Sequence, residues 1–130
     1  MSWSPWCDSI KALGFVAGGI YGHDGNQWAE FGMNDKYSLR SDDIRNIREC
    51  IANEDPNRAP VTVGGVRMMM INVNHNVEGQ IIGKKGTSMC LVAFECNKSV
   101  IVGIGGENTD PRKFVDPFFK LATALKSSGN

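Results

Sequence analysis

Between Val61 and Ile104 the chain lays down one short apolar run after another, each separated from the next by only a few turn-forming residues. The runs are Val61–Val63, Val66–Val73, Val77–Ile82, Met89–Phe94 and Val100–Ile104. Gly64-Gly65, Asn74-His75-Asn76, Gly83–Gly86 and Cys96-Asn97-Lys98 punctuate them, and these are residue types that favour turns. A crossover to a parallel neighbour needs about a dozen residues or more. Connections this short leave only antiparallel neighbours, so the middle of the chain is predicted to be an antiparallel meander.

The flanking segments must then pack on that sheet. At the N-terminus Trp3, Trp6, Ile10 and Leu13 recur at helical spacing, with Ser2 or Ser4 as cap and Pro5 in the first turn, where its missing N–H costs nothing. Phe15–Tyr21 reads as a strand, Asp24-Gly25 as a hairpin turn, and Gln27–Phe31 as the returning strand. A second helix opens after Ser38 or Ser41, places Asp42 and Asp43 at its positive end, and buries Ile44, Ile47 and Ile51. Asn53-Glu54-Asp55-Pro56-Asn57 ends it. The last helix carries Phe114, Phe118, Leu121 and Leu125 on one face. Asp110-Pro111 and Asp116-Pro117 both have the form of a cap and first residue, so this helix either begins late or bends at Pro117. The order is helix, two strands, helix, about four strands, helix, which predicts an α+β fold in a single domain over residues 1–130.

Composition narrows the function. Formal net charge is zero over 130 residues, which gives no global field for nucleic acid. From Lys84 onward seven basic residues face four acidic ones, enough for a local basic face. Cys7, Cys50, Cys90 and Cys96 contain no C-x-x-C pair, and with no export signal they read as reduced, buried thiols of a cytoplasmic protein. His23 and His75 sit in separate turns without ligand spacing. Gly79–Lys85 is one residue short of a phosphate-binding loop and lacks the hydroxyl residue after its lysine. No catalytic residue, metal site or cofactor is predicted, and the chain does not read as an enzyme.

Three tryptophans then stand out. Trp3, Trp6 and Trp28 either fill the core or line a shallow surface that takes prolines on ring faces and their carbonyls on indole N–H groups. Their company bears on the choice. Met1-Ser2-Trp3, Gly22-His23-Asp24-Gly25 with Trp28-Ala29, Val63-Gly64-Gly65, Gly83-Lys84-Lys85-Gly86 and a closing helix with Leu121 and Leu125 resemble the profilin family in order and spacing over essentially the whole chain.

The resemblance implies a central antiparallel β-sheet with the N- and C-terminal helices together on one face and one or more further helices on the other. It also implies a non-enzymatic, cytoskeleton-associated protein, monomeric itself. Its partners would be monomeric actin, proline-rich proteins such as formin-type nucleators, and anionic phosphoinositides. By the same resemblance, Trp3, Trp6, Trp28, Ala124 and Leu125 form the polyproline groove, and Arg67, Met70, Lys84, Lys85, Arg112, Lys113 and Lys120 the actin surface. The chain departs from the family pattern in several places. Trp6 stands where tyrosine is frequent, Ala124 where an aromatic or histidine is usual, Asn130 where many members end on tyrosine, Ile82 where many have arginine, and Lys120 where an acidic residue is common. The groove is thus expected to lean on its N-terminal indoles. The rival readings are a phosphoinositide-responsive membrane-surface module using Lys84, Lys85, Arg112 and Lys113, a polyproline adaptor with weak actin binding, and a small-ligand sensor whose cavity Phe114, Phe118 and Phe119 would tend to fill.

Overall fold

A computed structural model of the protein describes residues 4–53, 59–72, 80–86, 88–107, 109–110 and 113–130. In chain order the elements are α1 (Ser4–Ala12), β1 (Ala17–Gly22), β2 (Gln27–Phe31), α2 (Ser41–Ala52), β3 (Thr62–Val63), β4 (Val66–Arg67), β5 (Met69–Asn72), β6 (Gln80–Lys85), β7 (Met89–Glu95), β8 (Ser99–Gly105) and α3 (Val115–Ser127). Six strands form one antiparallel sheet in the order β2-β1-β8-β7-β6-β5, and β3 and β4 pair as a separate ribbon. The meander supplies β5 to β8, and β1 closes against β8 in unbroken register from Ala17↔Ile104 to Gly22↔Ser99.

Each face of the sheet has its own core. On one, Ile44, Ile47, Cys50 and Ile51 of α2 cover Ala17, Tyr21, Leu91, Ala93, Val100, Val102 and Ile104, with Val61, Val63, Met68 and Met70 from the ribbon and its exit. On the other, Ile10 of α1 and Phe118, Ala122 and Leu125 of α3 cover Ile20, Val92, Phe94 and Ile101. Successive residues of β7 and β8 thus serve opposite cores, which is why these strands read as continuous apolar runs and not as alternation. Both terminal helices share one face and α2 takes the other, as the resemblance implied.

Phe15 does not extend β1 as the apolar run suggested. Its ring lies on the backbone of Gly103, where an added Cβ would come within 2.8 Å of ring carbons. Gly103 pairs with Gly18, where an added Cβ would meet Val102 O at 2.5 Å and the Phe31 ring at 3.1 Å. From its seat on Gly103, Phe15 meets Phe114 at 4.6 Å and Phe118 at 5.2 Å between ring centroids. An apolar side chain spent this way joins the N-terminal segment to α3.

Other boundaries differ for equally local reasons. Arg40, not a serine, precedes α2, and the Asp43 carboxylate accepts its backbone N–H at 3.0 Å, the return half of a capping box. The same buried carboxylate accepts the N–H and hydroxyl of Thr62 at 3.1 and 2.9 Å, tying the helix start to the ribbon. The run from Val66 breaks at Met68, whose N–H donates to Val61 O at 2.8 Å as the chain leaves the ribbon for the main sheet. Gly83, Lys84 and Lys85 continue β6 instead of turning. Gly83 pairs with Met70 and Leu91, and Met70 Sδ lies 2.9 Å from where its Cβ would be. The turn centres instead on Gly86, at φ +51°. Pro117 is the third residue of α3, inside the first turn where no N–H is needed, so the helix begins late and does not bend there. The expected turns at 54–57 and 74–76, and the strand start at 77–79, lie outside the described residues.

The α2 layer is fastened by polar contacts at one end of the sheet. Glu95 Oε1 accepts from Arg48 Nε and Nη2 at 3.1 and 3.0 Å, and Arg48 Nη1 donates to His23 O at 3.2 Å. Between β1 and β2, the buried Tyr21 hydroxyl donates to Glu30 at 2.5 Å.

Two predictions follow from these contacts. Replacing Gly103 with alanine forces the Phe15 ring off its seat and should lower unfolding free energy in urea by about 1–3 kcal/mol, the usual cost of overpacking. Burial, then the Glu30 hydrogen bond, push the Tyr21 phenol well above its ordinary value, and burial pushes the Cys96 thiol from 9.0 up to about 11. Both groups hold their protons more tightly folded than unfolded. The Cys96 contribution is full below its unfolded value and should be lost as pH rises from 9 through 11, while the Tyr21 contribution only begins to fall above 10, a trend that thermal unfolding measured across that range would register.

Candidate functional site

Trp6 and Trp28 come to the sheet from different directions and meet the same core. Both are half-buried and pack with Leu13 and Leu121 at the margin of the cluster that contains Ile10, Phe118 and Leu125. Trp28 reaches this margin because the Asp24–Asn26 turn is held by its own side chains. Asp24 accepts from the Asn26 backbone N–H at 3.0 Å and from its amide at 2.7 Å. A Cβ on Gly22 would lie 3.1 Å from Trp28 Nε1, so the hairpin backbone closes directly against the indole. Two large rings, each part dry and part wet, are the arrangement that suits a recognition surface. Trp3 lies outside the described residues.

The α3 side of this groove is uneven. Ala124 is exposed, whereas Leu125 is fully buried. The Leu125 side chain lies in the core beneath α3, with Ile10 and Phe118, and is not exposed at the surface. The end of α3 is fixed to the β7–β8 turn. Asn97 Nδ2 donates to Lys126 O at 3.0 Å, Lys98 N–H to Asn130 O at 2.5 Å, and the buried Ser99 hydroxyl to the same Asn130 oxygen at 3.2 Å. From the hairpin side, His23 Nε2 donates to Cys96 O at 3.1 Å.

The residues assigned to the second surface are less uniform. Lys85, Lys113 and Lys120 are exposed and Lys84 is half-buried. Arg67 is exposed on the β3–β4 ribbon and not in the main sheet, and Arg112 lies outside the described residues. Met70 is only 6% exposed and packs on Gly83, so its side chain belongs to the α2-side core and not to the surface. The exposed methionine is Met69, at 69%, directly paired with Lys84. Strand alternation sends Lys84 and Lys85 to opposite faces. Lys84 pairs with Cys90, two residues before the α3-side Val92, whereas Lys85 pairs with Met89 of the α2-side core. Ile82 is buried and offers no charge.

Phe119 is 42% exposed, and its ring stands 5.8 Å from that of Phe94 on β7. From the sequence Phe119 reads only as a filler of an internal cavity, and Met69 has no assigned role. The signal was there for Phe119, one residue past the buried stripe of α3, whereas Met69 needed the strand register. Five residues separate Phe119 from Ala124, about 140° around a helix of 3.6 residues per turn. Phe119 therefore lies on the flank of α3 toward β7, and the exposed Ala124 on another. Among the described residues no three His, Cys, Asp or Glu side chains gather as metal ligands.

A family model described as Profilin matches residues 1–130. The chain belongs to the profilin family. It is similar to Profilin-1A of Acanthamoeba castellanii, at 28% identity with 99% of each chain covered, and to Profilin-A of Physarum polycephalum, at 29% identity with 99% of each covered. Among solved structures, this profilin superposes on Acanthamoeba castellanii profilin IA with a TM-score of 0.80 at 25% identity, covering 99% of this chain and 100% of that one. The same fold is seen at 16% identity in mouse profilin IIa in complex with a double repeat from the FH1 domain of mDia1 (TM-score 0.72, covering 100% of each chain). It is also seen at 16% identity in a LokiProfilin1 complex with rabbit actin (TM-score 0.69, covering 95% of this chain and 93% of that one).

The burial difference between neighbouring residues of α3 is directly testable. Leu125→Ala should lower unfolding free energy by about 2–5 kcal/mol, as for other buried leucines. Ala124→Ser should stay within roughly 0.5 kcal/mol of the parent. Paired urea titrations measure both.

Proposed function

We propose that this profilin binds monomeric actin on one surface and proline-rich segments on another, and so regulates filament assembly as an adaptor, with no chemical step. The observation that carries this reading is the position of α3 as a wall shared by two surfaces. On its α1 side lie Trp6, Trp28 and Ala124, above Leu125. On its β7 side lies Phe119, with Met69 and Lys84 on the neighbouring strands, whereas the exposed Lys120, four residues before Ala124, shares the face of Ala124.

Each surface suits its ligand. Indole faces accept the rings of a polyproline II helix, a conformation that is already extended and loses little entropy on binding. Family membership and the mouse profilin complex with an FH1 double repeat support this assignment. The second surface combines exposed apolar side chains with lysines, a mixture suited to a protein partner with an acidic rim, and the LokiProfilin1 complex with actin supports that choice. With one ligand on each flank, a proline-rich partner raises the local concentration of the actin it recruits without any new contact between them. The division of Lys84 and Lys85 between opposite faces counts against a flat phosphoinositide-bearing membrane as the principal ligand, since such a surface engages only one face at a time.

Titration with a proline-rich peptide should shift the tryptophan emission. Trp6→Ala should weaken peptide binding by about tenfold or more, the usual cost of removing an anchoring indole, while leaving actin binding intact. The double reversal Lys84→Glu and Lys113→Glu should weaken actin-monomer binding by a similar order and spare the peptide. Equal loss of both ligands in either variant would show that the surfaces are not separate.

A further inference from the structure

The β7–β8 turn, Cys96-Asn97-Lys98, with Ser99 opening β8, carries no ring and none of the residues assigned to either ligand, yet both sides of the tryptophan groove are tied to it. From the hairpin that presents Trp28, His23 reaches in and donates to the Cys96 carbonyl at 3.1 Å. From α3, which presents Ala124, the Lys126 main-chain oxygen accepts from Asn97 at 3.0 Å; in the tail after the helix, the Asn130 main-chain oxygen accepts from Lys98 and Ser99 at 2.5 and 3.2 Å, while the Asn130 N–H donates back to Leu125 O at 3.3 Å. Below the helix, the Cys96 thiol lies 3.8 Å from the Ala122 carbonyl oxygen. Asn97 thus holds the last turn of α3 directly, Lys98 and Ser99 hold it through the tail that folds back on Leu125, and Cys96 before them is held by the hairpin.

The last carbonyls of a helix have no intrahelical partner, and unless something else binds them the final turn frays. In α3 the Lys126 oxygen finds one of its partners outside the helix, on the turn. We infer that Asn97 and Ser99 are positioning residues for the proline groove: they set the last turn of α3 at a fixed distance from the hairpin that carries Trp28. This role rests on the groove assignment made above. A groove of rigid width favours a rigid ligand, because binding then orders little of the protein. With no ring at Ala124 or Asn130 to close over the peptide, the width set by this turn matters more here than any contact from α3.

Two variants test it. Asn97→Asp keeps the size of an exposed side chain but removes the N–H donor, and Ser99→Ala removes the hydroxyl from inside the protein. Each should weaken binding of a proline-rich peptide by about three- to tenfold, in line with the loss of one hydrogen bond. Each should also shift the tryptophan emission, speed amide exchange over residues 126–130, and leave actin-monomer affinity unchanged. Faster exchange with peptide affinity retained in both variants overturns the positioning role while leaving the groove in place. A parent protein that binds actin but not the peptide overturns the groove assignment, and this role with it. Parallel loss of actin and peptide binding identifies a general loosening of the fold and overturns the inference as well.

Discussion

The pairing of β1 with β8 is the constraint on which the rest depends. It joins the two ends of the chain, the N-terminal hairpin and the closing strand of the meander, across six residue pairs in continuous register. Without it the hairpin would be a two-stranded piece with little independent stability, and α1 and α3 would have no common floor. With it, Ile20 and Ile101 come to the same face and give both terminal helices one core. The register also opposes Gly18 to Gly103, and the bare Gly103 backbone leaves room for Phe15.

Much of this was legible because both faces of the sheet are covered. A strand buried on two sides has no polar positions to spare, so β7 and β8 announce themselves as apolar runs with turns between them. The glycine-rich part of β6 was not legible. Gly83 and the lysines after it have the composition of a turn, but the glycine is there to admit Met70 Sδ, a contact made by a strand distant in sequence. The start of α2 was hidden for a related reason: its stabilising carboxylate, Asp43, lies inside the helix and reaches back to Arg40 and across to Thr62.

The candidate site divides along the same line. Helical spacing placed Leu125 on the apolar stripe of the last helix, and the structure buries it there. The family resemblance implies a binding role for it, while its burial is what the local periodicity predicts. For the methionines the difficulty was parity. Which of Met68, Met69 and Met70 faces out depends on where the ribbon ends and β5 begins, a break set by the hydrogen bond from Met68 to Val61. A shift of one residue in a strand exchanges inside for outside, so no reading of that triplet in isolation could settle it.

The flanks of α3 have a consequence for how such a protein changes over time. Ala124 and Phe119 are close in sequence but point away from one another, and neither is committed to the buried stripe between them. Selection can therefore act on one partner through one flank while the other flank stays as it was. A lineage whose proline-rich partners turn over quickly need not alter the surface that meets a slowly changing one. Ligand preference becomes a property that can drift while the buried stripe of the same helix stays as it is.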